Sequence, residues 1–341
     1  MGVKMDKLLS VSVAAYNVEN YIRETLDCFV GVKGIERLEV IVVDDGGKDS
    51  TPEIVQEYVD KYPEVFRLLR KANGGWGSTI NASLQVARGK YFKLLDGDDY
   101  FVHDHIAGFL DGLEEMDSDL VITPAYAFDS ESKARIFNLL DYPFPTNYKA
   151  YDIQKLNMWA FHPSVYGVCY KTDRLRESGL HITEHCFYTD VEFVLKGFNT
   201  VRTAGSLPME IYCYRKARAG QSMSLEGVRK HYKEHYKMLM TMLEYDQTQV
   251  RNEKIHEIFM ARLTDVCANM YRWFLYLEPT EEHRQEMMEF DELLKTKYPT
   301  YYYTNAFIDV GLLRRTKFAL YRKIATRRLS LDQKNHYDLF A

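Results

Sequence analysis

Apolar and polar positions follow two rhythms along the first hundred residues. Leu8-Leu9-Ser10-Val11-Ser12-Val13-Ala14-Ala15 is a short, nearly continuous apolar run, which predicts a buried strand ending at Tyr16-Asn17. Tyr21, Ile22, Leu26 and Phe29 then recur on one helical stripe. Leu38–Val43 is a second strand and stops at Asp44-Asp45-Gly46-Gly47. Pro52, with Ser50 or Thr51 as cap, opens a helix whose apolar face is Ile54, Val55, Tyr58 and Val59. A third strand is predicted over 65–69, a helix with Ile80, Leu84 and Ala87 inward over 77–86, and a fourth strand from Lys90 to Leu95. Strands alternating with helices every 25 to 30 residues or so predict an α/β fold on a mostly parallel sheet flanked by helices. Such sheets hold ligands beyond the C-terminal ends of their strands. Polar residues collect at three of those ends: Tyr16-Asn17, Asp44-Asp45 and Asp96-Gly97-Asp98-Asp99.

Farther on, the pattern predicts a helix over 104–115 and a strand over 119–123. From Pro124 to Pro163 aromatic residues lie among turn formers, which predicts a less regular region over the sheet edge. A short strand follows at 165–170, with helices at 174–178 and 190–196 and a strand at Ile211–Tyr214. After about Ser224 the character changes to long helices, over 228–245, 253–277 and 280–297. The second carries a stripe of Ile255, Phe259, Leu263, Val266, Met270 and Phe274. The expected division is residues 1–225 as one domain and 226–341 as a helical appendage. Between Arg314 and Arg328 fall seven basic residues and no acidic one, interspersed with apolar side chains. A basic amphipathic segment over 312–329 fits contact with an anionic membrane. It fits equally a solvated cationic face whose other side packs on the appendage.

Composition narrows the class. A chain of 341 residues at 46% hydrophobic can bury a substantial core. A formal net charge of −5 argues against a general nucleic-acid binder. Five scattered cysteines without close pairs fit a reducing compartment and neither a disulfide framework nor a zinc site. No run of about 18 apolar residues predicts a membrane span, and the polar start followed by a strand does not resemble a secretion signal. The expected location is the cytoplasm, at the inner face of the cell membrane if the tail binds there.

Three carboxylates in the four positions Asp96 to Asp99 are costly at a strand end without compensation, and suggest a divalent cation with a phosphorylated ligand. Hard oxygen ligands suit Mg²⁺ or Mn²⁺. Asn73-Gly74-Gly75-Trp76-Gly77-Ser78 is a glycine-rich lead-in to a helix, and a helix N-terminus is an anion or ribose contact. It lacks the lysine-serine ending of an ATP-binding loop and fails the dinucleotide spacing. His231 and His235 share a helix face, and His103 and His105 lie near the acidic cluster. Neither pair completes a metal set, so packing or surface roles are expected.

The ordered series Val11–Asn17, Val43–Ser50, Asn73–Ser78 and Leu95–Asp99 closely resembles the family 2 glycosyltransferases, inverting enzymes of the GT-A fold. Phe187-Tyr188-Thr189-Asp190 and Tyr212–Ser222 extend the likeness to roughly residues 8–225. The family usually has proline where Ala14 stands and serine where Gly47 stands, both positions of backbone shape. Close relatives often have a small or imidazole side chain where Trp76 stands.

The resemblance implies a hexosyl- or N-acetylhexosaminyltransferase using a UDP-sugar donor and a glycan or lipid-linked acceptor, in polysaccharide biosynthesis of the cell envelope. It implies that Asp98 touches the metal directly. Asp96 lies nearer the ribose or completes the metal shell through water, and Gly97 lets the backbone approach the nucleotide. Asp45 accepts the imide N–H of uracil, a donor that cytosine lacks, while an Asx turn before the Thr51 helix explains the same residues. Ala15, Tyr16 and Asn17 frame the base and ribose, with Asn73 and Gly74 near the nucleotide. Asp190 is the expected general base, taking the acceptor hydroxyl's proton. A plain N-cap also fits that position, and Glu192 is a neighbouring candidate. Arg218 and Gln221, with Ser222, lie in a loop that can close on the diphosphate. Two other functions share these features: a nucleotidyltransferase that makes nucleotide sugars, and a non-catalytic glycan-binding or scaffold protein of the same fold.

Overall fold

The structure is a computed structural model that describes residues 6–139, 147–156, 163–216, 225–304 and 308–335. The chain divides into two units, Met1–Arg218 and Ala219–Ala341. The first opens with β1 (Lys7–Ala15), α1 (Ile22–Asp27), β2 (Leu38–Asp44), α2 (Thr51–Lys61), β3 (Phe66–Arg70), α3 (Trp76–Val86) and β4 (Gly89–Asp96). β2 is buried at all seven positions. A parallel strand covered on both faces reads as an apolar run, with no alternation. Val11, Val13, Val40, Val42 and Leu95 form the centre of this core, each contributing about 1.5–3 kcal/mol through burial.

The four strands pair in parallel in the order β3-β2-β1-β4. The chain leaves β1 on one side for β2 and β3, then returns to its other side at β4. That reversal opens a crevice at the strands' C-terminal ends. The register levels the tips, with Ala15 opposite Asp44 and Ala14 opposite Asp96.

The unit continues with β5 (Tyr100–Phe101), α4 (His103–Met116), β6 (Leu120–Ile122), β7 (Ala125–Asp129), β8 (Arg135–Asn138) and β9 (Tyr151–Asp152). After them come β10 (Val168–Lys171), α5 (Thr172–Glu177), α6 (Asp190–Phe198), β11 (Thr203–Ser206) and β12 (Tyr212–Lys216). β10 is antiparallel to both β4 and β6, and the large sheet ends in β11 and β9. A second sheet has the order β5-β12-β7-β8. Among the described residues, the region expected to be irregular therefore supplies three strands. They run two to five residues each, too short for a period-two signal to emerge among turn formers. Trp159 and His162 lie outside the described residues.

The second unit contains α7 (Leu225–Gln249), α8 (Glu253–Tyr276), α9 (Glu281–Lys297), α10 (Pro299–Thr304), α11 (Ile308–Arg315) and α12 (Tyr321–Asn335). Asn252 caps α8 by accepting from the N–H groups of Lys254 and Ile255, and Thr280 caps α9 by accepting from His283. The basic tail, expected as one amphipathic segment, is two helices separated by a turn in which Lys317 and Phe318 have φ of 48° and 60°. Leu313, Phe318, Tyr321 and Ala325 are buried, and the Tyr321 hydroxyl donates to the Phe274 carbonyl at 2.8 Å. Arg314 pairs with Asp291 and Arg328 with Asp309, while Arg315, Lys317, Arg322, Lys323 and Arg327 are exposed. Among the described residues no helix is long and apolar enough to cross a membrane.

Candidate active site

The loops after β1 and β2 are stapled together by short polar side chains. The Asn17 side-chain oxygen accepts the Lys48 N–H at 2.8 Å, Asp49 accepts from Glu19 and Thr51, and Glu19 accepts from Ser50. Asn17 sits at φ 53°, a conformation that asparagine tolerates better than most residues. Asp44 closes its turn on the Gly47 N–H at 3.1 Å. Between them the Tyr16 side chain stands 52% exposed at the tip of β1. Ala15 beneath it is buried.

Asp45 organises the glycine-rich loop. Its Oδ1 accepts from Lys71 Nζ at 2.9 Å, the Gly74 N–H at 2.9 Å and the Ser78 hydroxyl at 3.2 Å. Its Oδ2 accepts from the Gly75 N–H at 2.8 Å and the Asn73 amide at 3.1 Å. Two carboxylate oxygens offer about four lone-pair positions, so Asp45 is saturated by its own loop. Contact with a base edge requires one of these donors to move aside. Gly46 has φ 74°, and a Cβ there would stand 2.9 Å from the Asn73 nitrogen, so this turn specifies glycine.

The acidic loop after β4 is held from below. The Gly97 N–H donates to the Ala14 carbonyl at 2.9 Å, and a Cβ at Gly97 would meet that oxygen at 2.7 Å. Thr25 donates to the carbonyls of Gly97 and Asp99. The buried Arg215 donates through Nε to the Asp98 carbonyl at 2.6 Å and pairs with Glu24, its guanidinium lying over the rings of Tyr21 and Phe128. Asp99 is buried and accepts from the Arg215 N–H and the Tyr212 hydroxyl, both at 2.7 Å. Burial, then the charges of Asp98 and Asp96, push its carboxyl well above the usual carboxylate range. Asp96 and Asp98 are only half-buried. The Trp76 indole N–H donates to Asp96 Oδ1 at 2.7 Å.

Asp190 is the first residue of α6 and is half-buried. Burial raises the hydroxyl pKa of Tyr166, and the charges of Tyr214, Asp96, Asp99 and Asp190 raise it further. Lys93 lies beneath, fully buried, with Nζ donating to the carbonyls of Tyr166 and Val168 at 2.8 and 3.2 Å. Burial lowers its pKa to about 8. Glu192, the neighbouring candidate base, is buried, paired with Lys196 at 2.8 Å and bonded to the Thr183 N–H. Its surroundings are structural.

Ala15 and Asp96 end β1 and β4, and Tyr16, Asn17, Asp45, Asn73, Gly74, Gly97 and Asp98 fall on the loops beyond the strand ends. Arg218 and Gln221 lie outside the described residues. Sequence reasoning assigned no role to Lys93, Tyr166, Tyr212 or Arg215. Lys93 did leave a signal, a lone cation inside the apolar strand of Tyr91, Phe92, Leu94 and Leu95. The histidines are structural: His103 and His105 bond backbone carbonyls, His231 bonds Glu234, and buried His235 stacks on Trp273 at 4.1 Å.

Residues 10–171 match the family described as Glycosyl transferase family 2. An uncharacterized Mycobacterium bovis protein, Mb1547, is 43% identical over 94 residues, 27% of each chain, so the match spans about a quarter of that relative's length. Among solved structures, S. aureus TarS in complex with UDP-GlcNAc aligns with a TM-score of 0.56 at 18% identity, over 89% of this chain and 92% of that one. The mannosyltransferase PcManGT from Pyrobaculum calidifontis, in complex with GDP-Man and Mn²⁺, aligns with a TM-score of 0.52 at 15% identity, over 97% of this chain and 90% of that one. At these identities the likeness is one of fold, and the fold is GT-A.

Proposed function

We propose that this chain, whose residues 10–171 match the family described as Glycosyl transferase family 2, moves a hexosyl or N-acetylhexosaminyl group from a UDP-sugar to a hydroxyl of a glycan, glycolipid or lipid-linked acceptor, with inversion. The observation that carries this reading is the level alignment of Ala15, Asp44 and Asp96 at the crevice, with the loop that leads to Asp190 bonded to the glycine-rich loop through the His185 N–H and the Gly74 carbonyl. That bond brings the proposed acceptor-side loop up to the proposed donor-side loop. The UDP-GlcNAc bound by TarS makes that donor the first to try.

In this reading Tyr16 offers its exposed ring to the base, and Ala15 and Asn17 line the base and ribose. Asp45 recognises the uracil imide by releasing the Asn73 amide, with Gly74 held close by. Among the described residues no three His, Cys, Asp or Glu side chains are grouped to hold a metal alone. The half-buried Asp96 and Asp98, crowded by Asp99, fit an ion that the diphosphate helps to ligate, as Mg²⁺ and Mn²⁺ sites do. Asp98 would hold it directly, and Asp96 would serve the ribose or the ion's water shell. An ion held there would supply charge neutralisation for the departing diphosphate. Asp190 takes the proton of the acceptor hydroxyl as that oxygen bonds to the anomeric carbon and the bond to UDP breaks. Gly97 keeps the acidic loop against β1.

The exposed cations of 312–329 support peripheral contact with anionic lipid at the inner face of the cell membrane. The apolar side of that segment is spent on its own unit, so this binding is electrostatic and weakens with salt. Equal liposome binding after deletion of residues 312–341 would exclude it. For the activity, a panel of nucleotide sugars is incubated with Mn²⁺ or Mg²⁺ and released nucleotide diphosphate is measured. UDP release from one UDP-sugar, abolished by chelation, is expected. Silence across the panel, with and without candidate acceptors, would sink the reading.

A further inference from the structure

Trp76 begins α3 directly after Gly75, which sits at φ 81°. Gly75 is itself pinned, its N–H donating to Asp45 Oδ2 at 2.8 Å. One residue later the indole N–H reaches Asp96 Oδ1 at 2.7 Å. Asp45 follows the tip of β2 and Asp96 ends β4, on opposite sides of β1. Residues 75–76 therefore bridge two carboxylates across the crevice.

The chemistry of the bridge is one-directional. An indole N–H only donates, and a donor aimed at an ionised carboxylate makes one of the stronger protein hydrogen bonds. It fixes the rotation of the Asp96 carboxylate before any ligand arrives, which reduces what binding must spend on ordering. Trp76 is also backed from its own helix, because the Thr79 hydroxyl donates to its carbonyl at 2.7 Å.

We propose that Trp76 is a positioning residue for the nucleotide, orienting Asp96 through its indole N–H and linking that carboxylate to the Asp45 loop. The proposal rests on the reading of Asp96 as a donor-site group. Trp76 acts through Asp96 and is not itself catalytic.

The test is calorimetric titration of UDP with Mn²⁺ into wild type, Trp76→Phe, Asp96→Ala and the double variant. Phenylalanine keeps a ring and removes the N–H. Trp76→Phe is expected to bind roughly tenfold more weakly, and Asp96→Ala at least as weakly. Adding Trp76→Phe to Asp96→Ala is expected to cost little more, since the group it acts through is gone. Unaltered affinity in Trp76→Phe overturns the proposal, as do losses that multiply fully in the double variant. Failure of the wild type itself to bind UDP with Mn²⁺ overturns instead the donor-site reading beneath it. If Trp76→Phe does not fold, the indole ¹⁵N–H signal of Trp76 in the wild type replaces it. That signal is expected to move on titration with UDP and Mg²⁺, and its standing still at saturation overturns the proposal.

Discussion

The backbone N–H of His185 donates to the carbonyl oxygen of Gly74 at 2.5 Å. Beside it the Asn81 side chain accepts from the Ile182 N–H and donates to the Ile182 carbonyl, each at 2.9 Å. These bonds strap the loop before Asp190 to the glycine-rich loop that Asp45 organises. A Cβ at Gly77 would stand 2.6 Å from both Ile182 Cγ2 and the Thr183 oxygen, so the two loops touch where only glycine fits. His185 and Tyr188 hold φ of 50° and 64°, strain of about 1 kcal/mol or more each that the straps must maintain.

Asn81→Ala should therefore slacken the approach to α6 without disturbing the nucleotide loops. The expected result is kcat lowered about tenfold or more with UDP affinity little changed. Steady-state kinetics beside a UDP titration will show whether the two separate. Equal loss of both would mean that Asn81 serves the donor loop instead.

Asp98→Asn and Asp190→Asn should each lower turnover by at least about a hundredfold. Only Asp98→Asn should strongly weaken metal-dependent UDP binding, because Asp190 is assigned to the acceptor's proton. Normal turnover in purified Asp190→Asn would remove it as the base.

Asp99→Asn is expected to fold with stability close to wild type at neutral pH. The side chain is buried beside two other carboxylates, and its partners are neutral donors. An asparagine still accepts from the Arg215 N–H, and its amide can donate to the Tyr212 hydroxyl. Denaturant unfolding decides this, and a loss of several kcal/mol, the scale of breaking a buried ion pair, would contradict it.

His235 gives a pH dependence away from the site. Burial lowers its pKa to about 3, from about 6.5 in an unfolded chain. Below pH 6.5 the unfolded state binds a proton that the native state refuses, so stability falls as pH falls. The slope approaches about 1.4 kcal/mol per pH unit down to the native pKa. His235→Phe, which keeps a ring against Trp273, should lose this component. Unfolding midpoints of both proteins between pH 7 and 4 measure it.

The legible parts of the site were those written in contiguous residues. Asp44-Asp45-Gly46-Gly47 and Asp96-Gly97-Asp98-Asp99 each declare a strand end by setting carboxylates and glycines against an apolar run, and Asn73-Gly74-Gly75 declares the entry to a helix. Tyr166, Tyr212 and Arg215 carry no such local mark. Their importance comes from a pairing of β12 with β5 and a hydrogen bond across more than a hundred residues, from Tyr212 to Asp99. The tail left two readings open for a similar reason, since its apolar stripe is equally suited to lipid and to packing on α8.

By itself the sequence determined the alternation of strands and helices, the polar ends of β1, β2 and β4, and the long helices of the second unit. Periodicity and turn chemistry act over a few residues, so they survive in a linear reading. The tertiary structure alone decided that Asp45 is filled by its own loop, that Trp76 spans from the β2 side to Asp96, and that Lys93 lies beneath Tyr166. Those outcomes depend on which lone pairs and cavities remain once distant segments have packed, and no local pattern encodes that.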